Sequence, residues 1–115
     1  LPPPAVATLT GSQYYYIDQA HPVALVAYQA VVEGNPPRIE FLDGIVERTS
    51  IPKAALGSFY KHAEIDKHHG RALWAMLDKL PLEEWHVKLL GINAMLCSDL
   101  IATLMESTLD AFATT

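Results

Sequence analysis

Prolines at positions 22, 36, 37, 52 and 81 divide this 115-residue chain into short segments. Proline lacks a backbone donor and holds φ near −65°, so none of these positions lies comfortably inside a helix or a central strand. The stretches between them are rich in Ala, Leu, Met, Glu and Lys, with few alternating β-branched runs. That combination predicts an all-α chain, a helical bundle of about five helices. The segments expected to be helical are Ala5 to Gln19, Pro22 to just before Gly34, Pro37 to Thr49, Ser58 to Leu80 and Glu83 to Phe112. Pro22 suits a first helical turn and Gly34 a position just past a helix end. A short helical turn from Pro52 through Gly57 leads into the fourth helix.

Half of the residues are apolar and only 18% are charged, which places the chain among core-forming sequences and sets one domain, residues 1–115, as the ceiling. The net charge of −5, with Lys and Arg scattered among acids, offers no footprint for nucleic acid and no polybasic patch for a membrane. Cys97 is the single cysteine and lies in an apolar run, as expected of a small buried hydrophobe in a reducing compartment. The opening Leu1-Pro2-Pro3-Pro4 reads as an internal or processed start rather than a signal peptide. Uninterrupted apolar runs fall short of the roughly 18 residues a spanning helix needs, so no transmembrane span and a cytoplasmic location are expected.

The fifth segment carries Trp85, Leu89, Ile92, Leu96 and Leu100 on one side and Leu90, Cys97, Ile101 and Leu104 on another. A helix apolar over so much of its circumference is expected to be covered by neighbours.

The fourth segment carries the chemistry. Phe59, Ile65, Leu73, Met76, Leu77 and Leu80 form an apolar stripe opposite Lys61, Glu64, Lys67, His68, Arg71 and Asp78. His62, Asp66 and His69 fall at i, i+4 and i+7, which predicts three ionisable side chains on the apolar stripe, pointing into the core. A buried carboxylate needs a cation or hydrogen-bond donors beside it. Two imidazoles and a carboxylate suit divalent iron with open positions, and zinc or manganese would accept a similar set. The residues equally allow a metal-free buried network of Asp66 with the two histidines.

Glu33 closes the apolar run from Val23 to Val32, where the helix dipole disfavours a carboxylate. It is either a solvated end residue or a fourth metal ligand projected from a neighbouring helix. Tyr14, Tyr15 and Tyr16 are expected mostly at core or boundary positions, His21 and His86 near helix starts at the surface or boundary, and His68 on the wet face. Asn93 either bonds a neighbouring helix or faces a cavity.

The stretch from Phe59 to His69 resembles the H-x3-D-x2-H signature of haem-oxygenase-like di-iron oxidases and oxygenases, and Ala27 to Glu33 is similar to the family helix that ends in a ligand glutamate. The resemblance runs from about Tyr14 to Leu109. It implies a fold of about seven helices related to haem oxygenase and thiaminase-II-like proteins, with this chain as its C-terminal portion. It also implies one or two iron ions without haem, manganese being an alternative, held here by Glu33, His62, Asp66 and His69. The expected partners are O2 and a small organic substrate. Family members place a further glutamate and histidine on helices of the first half, so a complete site would draw on such a half or on a second chain as a homodimer. A metal-free helical binding module is the reading of a different class.

Overall fold

The computed structural model describes residues 2–113, with side chains through residue 107; Leu1, which heads the proline run, lies outside the described residues. Helices α1 (Pro4–Gln19), α2 (Ala24–Glu33), α3 (Ile39–Arg48), α4 (Gly57–Leu77) and α5 (Glu84–Ala113) follow one another, with a 3-10 turn at Lys53–Leu56 before α4. No strand occurs among the described residues, and the all-α expectation holds.

Each boundary falls within two or three residues of its sequence signal. Pro4 opens α1 after an extended Pro3, because a missing N–H costs nothing at the first helical position. Pro36 and Pro37 keep the chain extended until Arg38, after which α3 places Glu40 in its first turn and Arg48 in its last, both complementing the helix dipole. Helix α2 begins at Ala24 rather than Pro22. The intervening Pro22 and Val23 form a turn whose carbonyls already accept from Leu25 and Val26 at 3.1 and 3.0 Å.

Two compact units emerge. The first joins residues 1–31 to residues 81–115, and the second spans residues 32–80. In the first unit α1 packs on α5, and Val23, Ala24, Ala27 and Cys97 are buried. In the second, α3, the 3-10 turn and α4 pack together, with Leu42, Ala63 and Leu73 buried. Gly70 lies against the end of α2: a methyl group on it would touch the Glu33 carbonyl at 3.4 Å.

Helix α5 departs from expectation. Trp85, Val87, Ile92, Met95 and Met105 are exposed, and only Asn93 and Cys97 are fully buried along its length through residue 107. The helix supplies more apolar circumference than the described residues cover, since α1 is its main packing partner. Counting uninterrupted runs also underestimated it. Averaged over a window, Glu84–Ser107 reaches a mean hydropathy of 1.5, long and apolar enough to cross a membrane by length and composition. Isolated polar residues such as Asn93 and Ser98 end a run without lowering that average much. The core helix of a soluble protein passes the same test.

Candidate functional site

Asp66 is the centre of the predicted cluster. It lies in the middle of α4, and its side chain is 5% exposed. His62, one turn earlier, places Nδ1 at 3.2 and 3.1 Å from the two carboxylate oxygens. A carboxylate only accepts, so this geometry puts the His62 proton on Nδ1 and leaves Nε2 as the ring's free nitrogen. His69 Nδ1 stands 3.8 Å from Asp66 Oδ1 and 3.6 Å from Glu33 Oε2. The four residues named from the sequence therefore form one chain of acid and imidazole, Glu33 to His69 to Asp66 to His62, all within the second unit. Glu33 arrives because α2 ends at that residue and its carbonyl abuts Gly70, one position beyond His69.

The expectation that all three α4 side chains enter the core is corrected. Only Asp66 does; the His62 and His69 side chains are 61% and 53% exposed. The buried line of α4 runs through Ala63, Asp66, Gly70 and Leu73. His62 and His69 each precede a member of that line by one residue, which turns them roughly 40–60° from Asp66 onto the opposite shoulder of the helix. Phe59, Met76 and Leu80 of the anticipated apolar stripe are exposed as well: Met76 lies roughly 80° from Asp66, outside the buried arc, Phe59 shares that arc but sits in the first turn, and Leu80 lies beyond the helix end.

By type, two imidazoles and two carboxylates suit a divalent iron ion. By arrangement they are spent on each other: among the described residues no group of three or more His, Cys, Asp or Glu is placed to hold a metal ion. Both Nδ1 atoms face carboxylates rather than a shared point. The two rings, unlike Asp66, are open to solvent over about half their surface. Beside the cluster a depression of about 230 Å³ is lined by Glu33 and Asp66 together with Lys67, Gly70, Arg71 and Trp74.

The remaining sequence candidates separate cleanly. His68 is on the wet face, where its Nδ1 accepts from Arg71 at 3.2 Å. His21 and His86 occupy boundary positions. Tyr14 and Tyr15 are exposed, so only Tyr16 of that run meets the boundary expectation. Asn93 proves to be an interhelical bond-maker: it donates to Gln13 Oε1 at 2.9 Å and to the Ala24 carbonyl at 2.7 Å.

Two networks escaped the sequence reading. Gln13 donates to Asn93 Oδ1 at 3.2 Å and to Cys97 Sγ at 3.3 Å, and burial pushes the Cys97 thiol above its ordinary range. A lone Gln on an amphipathic helix carries no signal for this; the partner is 80 residues away. In the second unit Tyr60 donates to Asp43 Oδ1 at 2.5 Å, while Lys53 bonds the same oxygen at 3.3 Å and lies over the Tyr60 ring. The Tyr60 hydrogen bond, then Lys53, hold the Asp43 carboxyl below its usual range, and the Tyr60 phenol is pushed up to about 12 chiefly by that same bond. No protein-family model, curated protein or solved structure matches the chain.

Proposed function

We propose that Glu33, His62, Asp66 and His69 form the iron-binding part of a non-haem oxidase or oxygenase that uses O2 to oxidise a small organic substrate. The observation that carries this reading is one chain of four acid and imidazole groups from two segments about thirty residues apart, in which His62 and His69 flank the buried Asp66 and Glu33 joins through His69. The resemblance of residues 59–69 to the H-x3-D-x2-H signature supports it. So does the depression beside Glu33 and Asp66, a place for a small molecule next to the donors.

Iron in such a site supplies O2 activation and redox change. The chain's own residues do the rest. Asp66, fixed by burial, orients His62 by accepting from its Nδ1, and for the two to hold one ion the half-exposed His62 ring would give up that bond to the carboxylate. Glu33 brings a second acid from the end of α2, and His69 brings a second imidazole from the same shoulder of α4 as His62. Trp74 offers an apolar wall, and Lys67 and Arg71 offer positive charge, to a molecule lodged in the depression.

Anaerobic titration of the chain with Fe(II), compared with His62→Ala and Asp66→Ala, tests the proposal. The expected outcome is a loss of affinity of at least about tenfold in each variant. Unchanged affinity in both would sink it.

The second reading, a metal-free helical module, is favoured by one observation: His62 and Asp66 already satisfy each other at 3.1 Å. It predicts no stoichiometric metal in protein purified without chelator, a result that elemental analysis reads directly.

A further inference from the structure

Helices α2 and α5 begin in the same unusual way. The backbone N–H of Val23, one residue before α2, donates to His21 Nδ1 at 3.2 Å. The N–H of Glu83, the residue before α5, donates to His86 Nδ1 at 3.0 Å. The second arrangement is a capping box in which His86 takes the place of the usual Glu or Gln at the third helical position. A backbone N–H can only donate, so both Nδ1 atoms must present a lone pair and each neutral ring carries its proton on Nε2. An imidazolium has no lone pair to offer. Protonation of either ring therefore breaks the bond that fastens a helix start.

Three further features surround the pair. The two rings lie edge to face with centroids 4.9 Å apart, so charging both sets like charges side by side. Each ring sits at a helix N-terminus, where the dipole disfavours a cation. Trp85 stacks on His86 with centroids 3.6 Å apart and meets His21 edge-on at 5.6 Å, binding the pair into one aromatic cluster. The charged groups on the elements that meet there are Asp18 in the last turn of α1 and Glu83, Glu84 and Lys88 on α5. Glu83 is taken by Trp85 Nε1 at 2.9 Å, and Glu84 pairs with Lys88 at 2.6 Å. Helix α2 contributes no charged side chain in its first turn.

We propose that His21 and His86 form a proton-sensitive latch that holds the starts of α2 and α5 while both rings are neutral and releases them when a ring is protonated. The test compares the full chain with the double variant His21→Asn, His86→Gln, whose amide oxygens accept the same N–H bonds without titrating. His62, His68 and His69 are present in both proteins, so the difference isolates the pair. From pH 7.5 to 5.5 the wild type is expected to lose about five- to tenfold in hydrogen-exchange protection at the Val23 and Glu83 amides. Its thermal midpoint is expected to fall by several degrees more than that of the variant. In a Trp74→Phe background, which leaves Trp85 as the sole tryptophan, emission should follow the same transition in the wild type and stay level in the variant. Equal protection at both pH values in the wild type, or the same losses in the double variant, would overturn the latch.

Discussion

The two units each bury a polar cluster, and the clusters differ in kind. Around Gln13, Asn93 and Cys97 every group is neutral and deeply enclosed, and Asn93 spends both amide protons and its oxygen on partners within 3.2 Å. Around Asp66 the groups are ionisable, only the central carboxylate is enclosed, and one of its neighbours, His69, stands 3.6 and 3.8 Å from its two acids. Complementary neutral groups in an enclosed site have no alternative partner, so they fix a packing arrangement. A buried carboxylate flanked by half-exposed imidazoles keeps alternatives, including protons and metal ions, open. Burial alone therefore does not separate the two clusters; incomplete, exchangeable partnering does.

The sharpest way to break this comparison is at Asn93. Replacement by Leu leaves the Ala24 carbonyl and the Gln13 amide without their buried partner, and it should cost about 2–4 kcal/mol in a denaturant titration. A cost below ~1 kcal/mol would show that the neutral cluster is no more structural than the charged one. Cys97 probes the same enclosure. With its thiol raised by burial and fully covered, alkylation of the native protein should be on the order of a hundredfold slower than in denaturant. Comparable rates would mean that the cluster opens readily.

The Tyr60 and Asp43 pair extends the comparison to exposed ionic contacts of the second unit. Phenolate absorbance should show a component titrating at about 12, which Asp43→Asn returns to the ordinary phenol range near 10. The folded phenol lies above its unfolded value, so its contribution to stability is fully present below pH ~10 and disappears as the pH rises through about 12. Asp43 works in the opposite direction. Its folded value lies below the usual carboxylate range, so its contribution is present above pH ~4 and is lost on further acidification. The smallest effect belongs to His62→Ala. A side chain 61% exposed should cost under ~1 kcal/mol of stability even though it bonds Asp66. A larger cost would place His62 with Asn93, as a packing residue rather than an exchangeable one.

By itself the sequence determined the local structure. Five helices, and their ends to within a few residues, followed from proline geometry and glycine punctuation, because these act on the backbone within one turn. It also determined which four residues to inspect, since helical spacing places His62, Asp66 and His69 along one side of α4 whatever surrounds them. Tertiary structure alone decided what that side faces. The buried arc of α4 is set by where other helices lie, so Asp66 enters while its two histidines stay on the shoulder. It decided likewise that Asn93 reaches Gln13 across 80 residues. It decided that α5, apolar over much of its circumference, keeps Ile92 and Met95 exposed among the described residues. Periodicity fixes angles around a helix axis; only packing assigns the neighbour at each angle, and with it the difference between a ligand, a cap and a core residue.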